Sequence, residues 1–298
     1  MQASPTAPAA PLLSVLCLSY NHAGFIGEAL DSFFAQTTDF VFEIVISDDG
    51  STDGTLEIVE PYCARAPGRM QVLRSPVNTG VTRNFRRALK ACRGTYIALC
   101  EGDDFWRGRH KLQQQVDFLQ AHPEYVMCYH DATIVGPSTV NGQSQLPARL
   151  RRDASSAELI ATRPISTLTV CFRNLLDELP PELDQAPALD LCLWSLLGLH
   201  GEGKYLADIE PAGYRVHADG IFSMQSDGNR HLMTAQSLLC LARVHARQGR
   251  LAAGNAALLK AMRLASVPLG PAGALRLLGA SALRLPITVL RSVRRLFG

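Results

Sequence analysis

The sequence predicts an α/β chain: a doubly wound, mainly parallel sheet flanked by helices, with a helical C-terminal extension. Short apolar runs alternate with stretches of helical periodicity between residues 12 and 100, which is the pattern of a parallel sheet with crossover helices. Polar clusters close three of those runs, at Ser19-Tyr20-Asn21, at Asp48-Asp49 and at Glu101-Gly102-Asp103-Asp104. Charge is also unevenly placed. The chain has 29 Lys plus Arg and 27 Asp plus Glu, yet ten of the basic residues and none of the acidic ones lie beyond residue 230. The body thus carries −8 and the tail +10, a split that suggests separate tasks for the two parts.

The elements follow in order. Leu12 to Leu18 reads as a buried strand, and Gly24 to Gln36 as a helix with Ile26, Leu30, Phe33 and Phe34 at helical spacing. Phe40 to Ile46 is a second strand, Thr55 to Tyr62 a helix, and Met70 to Arg74 a short strand. Val81 to Cys92 is a helix with Phe85 and Leu89 on one face, and Thr95 to Cys100 is a strand. Leu112 to Leu119 is helical and Tyr125 to Tyr129 extended; Gly136 to Ala154 is polar, with Pro and Gly, and reads as a long loop. Ile165 to Phe172 is expected as a strand and Leu189 to Leu199 as a helix, while Tyr205-Leu206-Ala207 and Gly213 to His217 bracket a further short strand. His231 to Leu264 reads as a helical hairpin broken near Gly249-Arg250. We expect a leader at 1–10 and a main domain at 11–228, divided into two halves, 11–105 and 106–228. A basic extension follows at 229–298.

Composition excludes several classes. Hydrophobic residues make up 47% and charged residues 19%, enough to bury a core rather than remain disordered. No long apolar run escapes interruption by Pro, Gly or charge, so no transmembrane helix is expected. The Ala- and Pro-rich start, Met1 to Pro11, has no basic residue and reads as a flexible leader rather than a signal peptide. The eight cysteines form no Cys-x-x-Cys pair and sit largely in apolar runs. They read as reduced thiols acting as small hydrophobes, which fits a cytoplasmic setting.

In open α/β sheets ligands bind outside the carboxyl ends of the strands, and three strands here deliver polar groups to that edge. Glu101, Asp103 and Asp104 repel one another unless a cation or proton neutralises them. Oxygen ligands alone suit a hard ion, Mg²⁺ or Mn²⁺, whose shell substrate phosphates complete; the alternative is a solvated acidic turn. Asp48-Asp49-Gly50-Ser51-Thr52-Asp53 could simply turn the chain and cap the next helix, but it holds more acids than a cap needs. Its carboxylates could accept hydrogen bonds from a base edge and ribose hydroxyls. No Walker sequence and no Gly-x-Gly-x-x-Gly follows the first strand, which argues against an ATPase or a dehydrogenase.

Leu16-Cys17-Leu18-Ser19-Tyr20-Asn21, Asp48 to Asp53, Asn78-Thr79-Gly80 with Asn84, and Glu101-Gly102-Asp103-Asp104-Phe105-Trp106 together resemble a family 2 glycosyltransferase of GT-A fold, in order as well as in wording. Asp190, and Tyr214-Arg215-Val216-His217 with Gly220, resemble that family's later elements. The resemblance spans roughly residues 12 to 223.

It implies an inverting transfer of a sugar from a nucleotide-diphosphate donor to an acceptor hydroxyl of a glycan or glycolipid. By the same resemblance Ser19, Tyr20 and Asn21 belong to the loop that holds the nucleoside, with Tyr20 against the base. Asp48 or Asp49 would bind base or ribose, and Arg83 and Asn84 would line the donor pocket. Glu101-Gly102-Asp103 stands where the family has Asp-x-Asp, so Glu101 departs from the pattern. Asp103 is the first choice as metal ligand and Asp104 the second. Asp190 would be the catalytic base, with Glu182 and Asp184 as nearby competitors. His217 could touch the diphosphate or metal or be structural, and Trp106 could floor the sugar site or simply pack. A catalytically decayed nucleotide-sugar binding or scaffold protein is the alternative. A sugar-1-phosphate nucleotidyltransferase would need a Gly-rich basic loop that Ser19 to Gly24 does not provide.

On a helix, Arg276, Arg284, Arg291, Arg294 and Arg295 fall within an arc of about 100°, with most apolar residues opposite. Such a segment reads either as a helix lying on an anionic bilayer or as one docked on the acidic body. No nucleic-acid motif accompanies it. The expectation is a cytoplasmic enzyme at the inner face of the cell membrane, acting in cell-surface polysaccharide or lipopolysaccharide assembly.

Overall fold

The computed structural model describes residues 10–136, 141–218, 220 and 225–282. The expected leader, apart from Ala10, and the basic segment beyond Ala282 lie outside the described residues. The chain forms two compact units. The first takes in Met1–Asp153, Ile165–Asp177 and Gly203–Arg215, the second Ala154–Pro164, Glu178–Glu202 and Val216–Gly298.

The strands are β1 (Leu13–Ser19), β2 (Phe42–Asp48), β3 (Met70–Arg74), β4 (Tyr96–Leu99), β5 (Tyr125–Tyr129), β6 (Ala132–Val135), β7 (Cys171–Arg173), β8 (Glu202–Tyr205) and β9 (Ala212–Arg215). The helices are α1 (Ile26–Phe34), α2 (Thr55–Arg65), α3 (Val81–Ala91), α4 (Lys111–Ala121), α5 (Ser156–Ile160), α6 (Leu189–Leu197), α7 (Asp227–Arg247) and α8 (Leu251–Ala282).

The main sheet has the order β3-β2-β1-β4-β7-β5-β8, and β6 pairs with β9 separately. β1 runs parallel to β2 and β4, and β2 parallel to β3. β7 is antiparallel to both β4 and β5, so β5 again points the same way as β4. The carboxyl ends of β1, β2, β4 and β5 therefore share one edge.

The central strands are buried on both faces, as crossover helices on both sides require. Leu13, Val15 and Cys17 of β1 join Ile26, Leu30 and Phe33 of α1 and Leu112, Val116 and Leu119 of α4 in one core. α3 packs against β1 and β2 and buries Phe85, Ala88 and Leu89. At the opposite end of the sheet the buried Glu43 carboxylate accepts from the Ser14 hydroxyl at 2.7 Å and from the Arg93 Nε at 2.8 Å. A charge out of water is tolerated only when paired in this way.

Ile165 to Phe172, expected as one strand, is instead a 3₁₀ turn, Thr167–Thr169, followed by the three-residue β7. Backbone and side-chain partners explain the difference. Thr169 Oγ1 bonds back to the Ser166 carbonyl at 2.7 Å. The Leu168 and Thr169 carbonyls are taken by Trp106 Nε1 and Gln115 Nε2, each at 2.8 Å. The single short strand expected between Tyr205 and His217 is two, β8 and β9, and β9 pairs with the unexpected β6.

In the second unit α5 opens on a capping box between Ser155 and Glu158. α6 is buried nearly all round and includes Trp194 at 0% exposure. α7 and α8 form the expected hairpin, turning at Gly249, whose φ of 76° lies where glycine is favoured. α8 bends again at Gly270, with φ 66°.

Several tail cations serve this unit. Arg247 pairs with Glu182 at 2.6 Å. Lys260 donates to the Ala161 and Thr162 carbonyls at 3.0 and 2.9 Å, closing the C-terminal end of α5. Arg250 Nε donates to His245 Nδ1 at 3.0 Å, so the ring's proton sits on Nε2, which lies 3.1 Å from Ser195 Oγ. Ser195 in turn donates to the Ile160 carbonyl at 2.8 Å. Among the described residues no helix is long and apolar enough to cross a membrane.

Candidate active site

The loops that leave β1 and β2 at the shared edge are laced together. Asn21, with φ 54°, donates its N–H to Ser51 Oγ at 2.8 Å and accepts from the Thr52 N–H at 2.9 Å. An asparagine tolerates that left-handed backbone better than most residues. His22 N–H reaches Thr55 Oγ1 at 2.8 Å and Ala23 N–H reaches Asp53 Oδ2 at 2.9 Å. Desolvation pushes the Asp53 carboxyl up, but the Thr55 hydroxyl and the N–H groups of Ala23 and Thr55 outweigh it and hold the group below its usual range. Tyr20 stands out from this frame at 38% exposure, available to a flat ligand face, while Ser19 is buried with an unpartnered hydroxyl.

Asp48 and Asp49 are both buried and both occupied. Asp48 Oδ1 accepts the N–H groups of Gly50 and Ser51 at 3.1 and 3.0 Å, and Oδ2 accepts the Ser51 hydroxyl. Asp49 crosses to the loop before α3, taking the Thr79 hydroxyl at 2.6 Å and the Gly80 N–H at 2.8 Å. It thereby satisfies a donor at the start of that helix. Asn84, expected to line the donor pocket, is buried beneath it, with its amide on the Ser47 carbonyl at 2.9 Å. Arg83 lies on the exposed face of α3. A residue the sequence reading missed, Arg87, binds the Asp48 carbonyl and Asn84 Oδ1, both at 2.7 Å, and lies 3.8 Å from Asp49. Arg87 therefore ties α3 to the end of β2.

The acid turn follows β4. Gly102 allows it to close: a Cβ there would fall 2.6 Å from Ile26 Cδ1 and 2.8 Å from His22 Nδ1. Glu101 and Asp103 are partly exposed, and Asp103 Oδ2 lies 3.9 Å from His22 Nε2. Asp104, expected as the second metal ligand, instead points inward and accepts the Arg215 N–H at 2.7 Å. Burial, then Asp103 and Glu101, push its carboxyl well above the usual range. Burial pushes the Cys17 and Cys100 thiols well up, with Glu101 and Asp104 adding to it, so these cysteines are inert packing groups. Trp106 is core rather than a sugar platform: it is buried, its Nε1 is spent on Leu168, its ring lies 4.9 Å from Phe33, and Lys111 Nζ sits 4.0 Å from the ring centre.

A family model described as glycosyl transferase family 2 matches residues 14–179, which include every one of these loops. The chain belongs to glycosyl transferase family 2. An uncharacterised protein of Mycobacterium tuberculosis is 38% identical over 213 residues, 70% of this chain and 60% of that protein. The chain thus spans about 60% of the length of those curated relatives. A putative teichuronic acid biosynthesis glycosyltransferase of Bacillus subtilis is 29% identical, over 49% of this chain and 70% of its own. Among solved structures, Staphylococcus aureus TarS 1–349 with UDP-GlcNAc superposes with a TM-score of 0.65 at 20% identity, covering 93% of this chain and 82% of that one. A Pyrobaculum calidifontis mannosyltransferase, in complex with GDP-Man and Mn²⁺, gives 0.54 at 20%, covering 95% and 83%. These likenesses are of fold, and the fold of this family 2 chain is of the GT-A type.

In the second unit Asp190 stands in the first turn of α6, partly buried. Desolvation pushes its carboxyl up to about 6 against the opposing N–H groups of Leu191 and Asp190. Its competitor Glu182 is committed to Arg247, and Asp184 is exposed. His217 is partly buried beyond β9.

Among the described residues no three His, Cys, Asp or Glu side chains close around a common point. What the acid turn does present is Asp103 and Glu101, partly exposed and backed by a third carboxyl. That donor set fits a hard divalent ion held by one or two carboxylates with the rest of its shell supplied by substrate.

Proposed function

We propose that this chain transfers a sugar, with inversion, from a nucleotide-diphosphate donor to an acceptor hydroxyl of a cell-surface glycan or glycolipid. The observation that carries the reading is the convergence of the Ser19–Asn21 loop, the Asp48–Asp49 turn and the Glu101–Asp104 turn on one carboxyl edge of the sheet. Family membership supports the transfer. The named activity of the Bacillus relative supports the surface-glycan assignment, and the Mn²⁺ complex of the mannosyltransferase supports a divalent cofactor.

In this reading Tyr20 lies against the nucleoside base. Asp48 and Asp49 act chiefly by shaping the turn, so backbone and exposed groups around Asn21, Thr79 and Arg83 meet the donor. Asp103, with Glu101 beside it, would hold Mn²⁺ or Mg²⁺; we do not carry Asp104 into that role, because it is buried with its Oδ1 on the Arg215 N–H. When bound, the ion supplies positive charge against the diphosphate leaving group. Asp190 takes the acceptor's proton: a carboxyl near 6 is a stronger proton acceptor than one at 3.8 and is still ionised at neutral pH. Placement at an anionic membrane surface through the basic C-terminal segment completes the proposal.

A thermal-shift panel of nucleotide sugars, with and without Mn²⁺, tests the donor. A ligand present at about 100 times its Kd adds about 2.7 kcal/mol, a rise of several degrees. The product's anomeric configuration by NMR tests inversion. Tight donor binding without turnover on any acceptor would favour the decayed, binding-only alternative.

A further inference from the structure

Arg215 braces the acid turn through both its backbone and its side chain. Arg215 closes β9, and its backbone N–H is the donor to Asp104 Oδ1 at 2.7 Å. Its Nε donates to the Asp103 carbonyl at 2.9 Å, and its terminal nitrogen pairs with Glu28 in the first turn of α1. The guanidinium lies 5.0 Å from the centre of the Phe25 ring and 5.3 Å from that of Phe105, so it is stacked as well as hydrogen-bonded. β9 is itself fixed to the turn: Phe105 and Gly213 exchange backbone hydrogen bonds at 3.2 and 2.8 Å. A Cβ on Gly213 would fall 2.3 Å from the Phe105 ring, so only glycine lets the ring lie there. On the other side of Asp103 stands His22, whose own backbone is tied to Thr55.

We propose that Arg215 is a positioning residue for the divalent cation: by clamping the Asp103 carbonyl to Glu28 on α1 it fixes the direction in which the Asp103 carboxylate points. The proposal rests on the metal reading above and adds to it a residue that holds the backbone of the metal ligand. The planar fork of arginine explains the choice of residue. It makes bonds in two directions from one rigid group while stacking on two rings, which an ammonium cannot do.

Position and charge predict opposite signs, and this makes the idea testable. A cation beside Asp103 repels a divalent ion, so removing it should tighten metal binding if charge were all that mattered. If Arg215 positions the ligand, removing it should weaken binding despite the lost repulsion. Arg215→Ala keeps the backbone N–H on Asp104 and so removes only the side-chain clamp. Arg215→Lys keeps the charge and loses the fork.

The measurement is Mn²⁺ binding to the full chain by calorimetry or by its paramagnetic resonance signal, with Asp103→Asn as control and melting temperature as a check on folding. We expect Arg215→Ala and Arg215→Lys each to weaken Mn²⁺ binding by about tenfold or more, the usual effect of losing an outer partner of a metal ligand. Unchanged or tighter binding in Arg215→Ala, or full affinity in Arg215→Lys, would overturn the positioning role and leave the metal reading intact. Wild-type chain that binds no Mn²⁺, or binding that survives Asp103→Asn, would overturn both.

Discussion

At the scale of single residues, two carboxylates carry the chemistry proposed here, and they should answer differently to mutation. Asp103 is partly exposed and Asp103→Asn should leave the melting temperature nearly unchanged while reducing kcat/KM by at least about a hundredfold, the scale of a lost electrostatic contact in a transition state. Asp190 should show a second signature. Its folded value of about 6 lies above the ordinary 3.8, so the folded chain binds that proton more tightly than the unfolded one. Ionisation therefore costs stability: the cost is absent below 3.8, grows as pH rises through 6, and is at most about 3 kcal/mol at neutral pH. Asp190→Asn should abolish transfer and raise the melting temperature at pH 7, and the wild-type kcat/KM should fall as pH drops through about 6. Retained turnover in Asp190→Asn would sink its role as base. Asp49 is the contrasting case. Asp49→Ala takes from the Thr79 hydroxyl and the Thr79 and Gly80 N–H groups the carboxylate they donate to, and should cost about 1–2 kcal/mol in chemical denaturation.

At the scale of elements, the helical unit depends on polar groups that join its helices. His245 bridges α6, α7 and the turn into α8 through Ser195 and Arg250. Burial, then the Arg250 charge, hold the ring down to about 4 from 6.5. The unfolded chain therefore takes up the proton first, so this contribution is complete above pH 6.5 and is lost as pH falls from 6.5 to 4, by at most about 3 kcal/mol. Denaturation of wild type and His245→Gln between pH 4 and 8 should show the wild-type advantage shrinking over that window; an advantage that does not change with pH would contradict the assignment. Lys260 plays a related part as the cap of α5, and Lys260→Met should lower stability by about 1–2 kcal/mol through the Thr162 carbonyl it leaves unpaired.

For the molecule as a whole, the charge split between body and tail takes on a more definite meaning. Arg247, Arg250 and Lys260 are committed within the helical unit, so part of the +10 of the tail is spent on contacts inside that unit. The lipid reading then rests on Arg263, which is exposed on α8, and on the cations from Arg276 onward. Binding to vesicles containing anionic lipid should fall with salt and be lost when Arg284, Arg291, Arg294 and Arg295 are replaced by Gln. Replacing Arg247 or Lys260 should affect melting rather than vesicle binding. Lipid affinity unmoved by the four-residue change would refute the membrane proposal.

Much of this was legible because it is local. The alternation of apolar runs and helical stretches fixes β1 to β5 and α1 to α4 to within a few residues, since periodicity is set by which faces must be buried. The polar clusters at strand ends reveal the edge at which the site lies. The hairpin of α7 and α8 was readable from Gly249 for the same reason. Pairings that join distant segments were not legible. β6 is four residues long and is stabilised by β9, far along the chain; Thr167–Thr169 turns because Trp106 and Gln115 take its carbonyls.

Nor could the sequence say how each acid in a cluster is spent. It established that three acids stand at the end of β4 and two at the end of β2, and with them the family and the chemistry to expect. Tertiary structure decided that Asp104 faces inward to Arg215, that Asp48 and Asp49 hold the turn together, and that Asp103 is partly exposed. The physical reason is that a carboxylate's role follows from the donors that surround it, and for Asp49 and Asp104 those donors come from Thr79, Gly80 and Arg215, brought in by strands and loops remote in the chain.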